Sequence, residues 1–274
     1  MQSINYKWQI YMTDNIWLAI REETEIDVRN EPMLASFLHA SILKHDSLEA
    51  ALSYHLANQL GCAEMPAILI REVIDEALLE SPCITQCVRC DLTAVFERDS
   101  ACHRLSTPFL YFKGFLALQS YRIAHWLWNN NRESLSIFFQ HKISMVFGVD
   151  IHPAATLGYG IMIDHATGLV IGQTTVVGNN VSIMQSVTLG GTGKEDGDRH
   201  PKVGNGVLIS AGAKILGNIN IGDGAKIGAG SVVLQDVPDH TTAAGVPAKL
   251  IGKPQTQSPA LEMNHEINCD RSCS

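Results

Sequence analysis

From Ile151 onward an aliphatic residue returns every six positions: Ile151, Leu157, Ile163, then Ile171, Val177, Ile183, Leu189, then Val203, Ile209, Ile215, Ile221, Ile227 and Val233. Glycine often follows it, as in Leu157-Gly158, Ile171-Gly172, Val177-Gly178, Val203-Gly204, Ile221-Gly222 and Ile227-Gly228. Neither a helix nor an alternating strand repeats at six. Thirteen hexads in phase predict a hexapeptide parallel β-helix, in which three hexads make one triangular coil. The repeated aliphatic residue points inward and stacks on its copies, and small residues follow because the chain turns a corner there. At about 4.8 Å per coil, the prism should stand on the order of 20 Å tall.

The register slips by two at Gly168-Leu169 and again between Leu189 and Val203. At the far end, Asp236-Val237-Pro238 through Ala244-Gly245-Val246-Pro247 breaks the repeat and should stop further stacking. Residues 255–274 are polar and patternless, which predicts a disordered tail.

The first half reads differently. Asn30-Glu31-Pro32 reads as a helix start with a capping Asn and a first-turn proline. Leu48, Leu52, Leu56 and Leu60 make an i, i+4 stripe, and Gly61 stands where a C-terminal glycine cap belongs. Further helices fit 66–80, 108–128 and 132–146. The expected organisation is an α-helical domain over 1–147, the β-helix over 148–254 and the tail over 255–274, an α+β class.

A net charge of −8 argues against non-specific nucleic-acid binding. No apolar run approaches a membrane span and no signal peptide is evident, so a cytoplasmic protein is expected. Seven cysteines are an odd number, and free thiols are the expectation in a reducing compartment. Cys83, Cys87 and Cys90 have the C-x₃-C-x₂-C spacing of some iron–sulfur sites. No barrel pattern accompanies them, and on a helix the same spacing is a core stripe. No metal site is expected.

A β-helix is a scaffold, so chemistry must come from residues that break its pattern. One break is Asp164-His165-Ala166-Thr167-Gly168 at the first slip. The other is the polar excursion from Gly190 to Lys202, which contains Arg199 and His200. A neutral imidazole suits the role of base for a hydroxyl nucleophile near pH 7. A carboxylate from Asp150 or Asp164 could fix its tautomer. Arg199 could grip a substrate carboxylate in bidentate fashion. These residues suit proton transfer without naming a substrate.

The runs Asp150-Ile151-His152-Pro153-Ala154-Ala155, Gly160 to Gly168, Ser186 to Lys194, Asp198-Arg199-His200-Pro201-Lys202 and Gly212 to Asn218 together resemble the bacterial serine acetyltransferases. So do Glu31-Pro32-Met33-Leu34-Ala35-Ser36-Phe37 and Tyr121 to Trp128 in the helical half, and the likeness spans about residues 14–254. The resemblance implies a helical domain followed by a left-handed parallel β-helix. It also implies acetyl transfer from acetyl-CoA, a co-substrate rather than a permanent cofactor, to L-serine for cysteine biosynthesis. His165 would be the general base, oriented by Asp150. Asp99 and Asp164 would hold the substrate ammonium, and Arg199 and His200 its carboxylate. Acetyl-CoA would lie between neighbouring prisms beside Gly191, Ala211 and Ala229, with Lys226 nearer the phosphates. That groove implies a homotrimer, commonly paired into a dimer of trimers through the helical domains, and L-cysteine would compete with serine.

Two departures are visible. Gln173 stands where relatives often carry Glu, and the chain ends Arg271-Ser272-Cys273-Ser274 rather than in the isoleucine that inserts into O-acetylserine sulfhydrylase. That complex is therefore not expected. The competing readings are a hexapeptide-repeat acetyltransferase acting on a sugar or antibiotic, a zinc carbonic anhydrase recruiting His152, His165 and His200, and a non-catalytic trimeric scaffold.

Overall fold

The computed structural model describes residues 6–193 and 196–267. Helices run in the order α1 (Tyr6–Asn30), a 3₁₀ turn (Pro32–Leu34), α2 (Ala35–Leu38) continued by a π turn (His39–Leu43), α3 (Leu48–Leu60), α4 (Ala67–Glu80), α5 (Pro82–Arg98), α6 (Ser106–Tyr111), α7 (Lys113–Asn129) and α8 (Glu133–Phe147). Ser47 caps α3, its hydroxyl accepting from the Ala50 amide at 3.2 Å. Asn30 is not a cap but the last residue of α1; Glu31 caps the 3₁₀ turn instead. Gly61 is extended rather than left-handed. Its lack of a side chain serves a close approach, since a Cβ would lie 3.0 Å from Ala57 O and from the Ala67 backbone. The helix expected over 108–128 breaks at Phe112, which separates α6 from α7.

The cysteines of α5 do not form a core stripe. Cys83 and Cys90 are exposed and Cys87 half-buried. The buried face of α5 belongs instead to Ile84, Val88, Asp91, Leu92 and Val95. Asp91 is wholly buried in a salt bridge with Arg122 of α7, 2.6 Å from Nη2 and 2.9 Å from Nε. Its other oxygen accepts from the Ile161 amide at 2.9 Å, and Arg122 also donates to Gly158 O at 2.8 Å. One ion pair thus ties two helices to the first coil of the prism. Gly114 of α7 permits this approach, because a Cβ there would fall 2.0 Å from Ile163 O.

α8 ends at Gly148, whose φ of 67° turns the chain into the solenoid. Parallel strands then stack in three faces. On the first face Ile151, Ile171, Leu189, Ile215 and Val233 lie in register, each over the next. Leu157, Val177, Val203 and Ile221 do the same on the second face. Ile163, Ile183, Ile209 and Ile227 do so on the third. All but the half-buried Leu157 are buried. At the corner between second and third faces, Asx side chains form a ladder. Asn179 accepts from the Tyr159 amide, Asn205 from Asn179, Asp223 from Asn205 and Asp239 from Asp223, at 2.6–3.1 Å. Gly158, Gly204 and Gly222 sit beside this ladder, where a Cβ would lie 2.3 Å from the next Asx oxygen. The glycines after the aliphatic position are therefore required by coil-to-coil contact as well as by turning.

The third face ends in an antiparallel pair, Thr242–Gly245 with Ala248–Gly252. The tail departs from expectation. α9 (Pro259–Glu262) lies against α5 and the third face, with Ala260 buried and its carbonyl accepting from Ser182 Oγ at 2.8 Å. Beyond it, His265 Nδ1 meets Ser210 Oγ at 2.9 Å, and Ile267 packs over Gly228. Buried Pro259 and Ala260 seat this short polar segment on the face. The rest of the tail, with Cys269 and Cys273, lies outside the described residues. Among the described residues, no helix is long and apolar enough to cross a membrane.

Candidate functional site

Two residues at the first slip of the repeat sit in strained backbone. His165 and Ala166 have φ of 55° and 61°. Positive φ in non-glycine residues costs of order 1–3 kcal/mol each and clusters at functional positions. The strain follows from the two extra residues, which must be absorbed at the corner between third and first faces without breaking the ladder. Asp164 N still bonds to Ile183 O at 2.9 Å, and Gly168 N to Gly148 O at 2.8 Å. The excess bulges outward, leaving the His165 side chain exposed with Nε2 3.6 Å from Asp164 Oδ2. Burial pushes the Asp164 carboxyl up, and the nearby Asp99 charge adds to this, against the pull of His165.

Asp99 reaches this edge from the helical half. It is the C-cap of α5, with Oδ1 accepting from the Ala101 amide at 2.8 Å. Arg98 beside it is buried and donates to Ser182 Oγ at 3.1 Å and Asn180 Oδ1 at 3.4 Å, pinning the helix end to the third face. Higher on the edge that carries His165, the amides of Ser186, Gly212 and Gly230 bond to the carbonyls of Thr167, Gln185 and Ala211. Ala211 and its counterpart Ala229 therefore climb the same edge, half-buried and exposed respectively.

Arg199 and His200 lie elsewhere. The excursion after Gly190 leaves the corner between first and second faces, where Thr174 organises it. Thr174 Oγ1 accepts from the Arg199 and His200 amides at 3.1 and 3.2 Å. His200 Nδ1 meets Thr174 Oγ1 at 2.9 Å and accepts from its amide at 3.3 Å, so Nε2 carries the proton of the neutral ring. Burial lowers the pKa of His200, and Arg199 and Lys202 lower it further. Gly172 makes room for the ring, since a Cβ there would fall 2.1 Å from Nε2. Gln173 Oε1 accepts from Arg199 Nη2 at 2.8 Å. A neutral partner holds the guanidinium without cancelling its charge. Gly191 lies on this edge as well, and a Cβ added there would meet Arg199 O at an ordinary 3.4 Å.

Asp150 points outward from the first face between buried Val149 and Ile151, and Oδ1 accepts from Gln140 Nε2 at 2.7 Å. Its charge opposes the burial that lowers the pKa of His152, and Arg199 acts on the same ring. Among the described residues it makes no ion pair with His165 in the same chain. The candidates thus separate into two groups on opposite edges of one face: Asp99, Asp164 and His165, and Arg199 and His200, with Asp150 nearer the second. Lys226 belongs to neither. It is buried in the third face with its ammonium donating to Glu266 O of the tail, and burial lowers its pKa.

Thr174, Gln140 and Gly172 escaped the sequence reading. Thr174 and Gly172 stand one coil before the excursion, and stacking the hexads in threes would have put them beneath it. Among the described residues, no group of three or more His, Cys, Asp or Glu is arranged to hold a metal ion.

Comparison with known proteins agrees with this architecture. The model for the serine acetyltransferase N-terminal region matches residues 16–120, and that for the bacterial transferase hexapeptide (six repeats) matches residues 200–235. A serine acetyltransferase of Escherichia coli strain K12 is 59% identical over 253 residues, covering 92% of this chain and 93% of that protein. A serine acetyltransferase solved in complex with cysteine is 57% identical with a TM-score of 0.92, covering 93% of this chain and all of that one. One solved in complex with CoA is 59% identical with a TM-score of 0.84, covering 87% of this chain and all of that one. With the helical half, the stacked hexads and near-full-length identity in agreement, the chain belongs to the serine acetyltransferases, acyltransferases of cysteine biosynthesis.

Proposed function

We propose that this chain transfers the acetyl group of acetyl-CoA directly to the L-serine hydroxyl, at a site shared by two copies around a trimer. The separation of the two groups on opposite edges of one prism face carries this reading. A cyclic, head-to-tail interface places one edge of a copy against the other edge of the next. His165, Asp164 and Asp99 of one copy then face Arg199 and His200 of its neighbour.

The serine ammonium sits between Asp99 and Asp164, and a bound cation favours ionisation of the Asp164 carboxyl that burial disfavours. Arg199 and the neutral Nε2–H of His200 take the carboxylate. His165 removes the hydroxyl proton while the oxygen attacks the thioester carbonyl carbon. The C–S bond breaks as the tetrahedral intermediate collapses, and the His165 proton passes to the departing coenzyme A sulfur. No acyl-enzyme forms. Asp150, lying with the Arg199 group, orients and steadies His165 across the interface. The pantetheine arm follows the edge of Ala211 and Ala229, with Gly191 on the facing edge, and contact of the phosphates with Lys226 requires residues 265–267 to lift. L-cysteine presents the same ammonium and carboxylate and competes for the site. Pairing of two trimers through the helical domains is part of this reading, and no permanent cofactor is.

Mixing variants tests the shared site. His165→Ala and Arg199→Ala should each be inactive alone in serine-dependent thiol release from acetyl-CoA. Co-assembled in equal amounts, one interface in four has both residues intact, so about a quarter of parental activity should return. No recovery in verified mixed trimers would place the site within one chain. Release with a sugar or chloramphenicol but not with L-serine would overturn the acceptor.

A second expected outcome concerns Gly172→Ala. The added methyl must displace the His200 ring, removing a donor to a charged group, and the KM for serine should rise roughly 10-fold or more. An unchanged KM would remove His200 from the carboxylate site.

A further inference from the structure

Gln140 lies two turns before the end of α8, the helix that delivers the chain into the solenoid. It is half-buried, and its Nε2 donates to Asp150 Oδ1 at 2.7 Å. A carboxylate can only accept, so the amide orientation follows from chemistry: the NH₂ group must face Asp150. Among the described residues, Asp150 Oδ2 has no hydrogen-bond partner. The charges of Asp150 and Arg199 both act on the nearby His152 ring, in opposite directions. Neither His152 nor Arg199 is within salt-bridge distance of Asp150 among the described residues, so Gln140 is what holds its side chain.

We infer that Gln140 is a positioning residue for acetyl transfer, holding Asp150 so that its free oxygen meets the base; this rests on the reading that Asp150 orients His165. A neutral amide suits the task better than Lys or Arg. It fixes one oxygen while leaving the full negative charge to stabilise the imidazolium formed as the serine proton is taken. The helical half then contributes to the reaction from two directions: α5 supplies Asp99, and α8 aims Asp150.

The test is the pH profile of kcat for Gln140→Leu and Gln140→Glu, measured beside Asp150→Asn on the full-length oligomer with folding and assembly checked. Loss of a hydrogen bond to a charged group should lower kcat of Gln140→Leu roughly 10-fold, with the serine KM within twofold of the parent. Gln140→Glu can donate only when protonated. Its activity relative to the parent should therefore be lowest at alkaline pH and rise as pH falls. Packing alone would not produce that trend. The Leu change should also cost little once Asp150 is Asn, because the two act as a unit. If Asp150→Asn is severe while both Gln140 variants keep the parental kcat and pH profile, the inference fails and the Asp150 reading stands. If Asp150→Asn is fully active, both fall. A rise in KM with lost thermal stability and an unshifted profile would make Gln140 structural only.

Discussion

Replacement of His165 by Ala is expected to lower kcat by about 10²–10⁴-fold, the usual contribution of a positioned general base. His165 is exposed on the prism edge, so no core contact is lost with it. Its φ of 55° complicates the choice of variant, because Ala is strained there whereas Asn tolerates left-handed backbone. His165→Asn is therefore the cleaner measurement. It should match His165→Ala in activity while keeping the parental melting temperature and the KM for both substrates. Residual kcat within tenfold of the parent, in either variant, would remove His165 from the proton transfer. Asp164 at 3.6 Å would then be the nearest alternative, raised in pKa by its burial.

The second large effect is on stability. Asp91→Ala should destabilise the protein by about 3–5 kcal/mol, because it strands the buried Arg122 guanidinium without its counter-ion. Three donors converge on Asp91 Oδ2, from Arg122 Nε, Arg122 Nη2 and Gln119 Nε2, and the Ile161 amide takes Oδ1. Replacing both partners by apolar residues, as in Asp91→Leu with Arg122→Met, should recover a large part of the loss, since neither charge then needs desolvation. Urea midpoints of the three variants would measure this. A loss below 1 kcal/mol for Asp91→Ala would show that water reaches Arg122. The same variant should raise the serine KM, because Asp99 lies two turns beyond Asp91 on α5 and depends on the docking of that helix.

The helical half was the less legible. The i, i+4 leucines of α3 could be read directly, because that pattern is local. α1 and α5 could not. The apolar face of α5 is interrupted by Asp91, a carboxylate that a sequence reading assigns to solvent. Its partner Arg122 is 31 residues away on another helix, and nothing in the spacing links them. The cysteine face misled for the same reason: periodicity shows that Cys83, Cys87 and Cys90 share a side of a helix, not whether that side is inside.

By itself the sequence determined the solenoid, its thirteen inward positions and the two places where the repeat is broken. A six-residue period has one stacked solution, and every departure from it stands out against identical neighbours. Which residues meet was decided only by the tertiary structure. Coiling in threes puts residues far apart in the sequence side by side, so that Thr174 holds His200 and Gly172 clears its ring. The same coiling sends Arg199 and His165, both chosen from the sequence, to opposite edges of one face. Their separation is a matter of which corner each insertion leaves from, which depends on the phase of the coil rather than on residue type. On the proposed reading, that separation is also why a second copy of the chain completes the site.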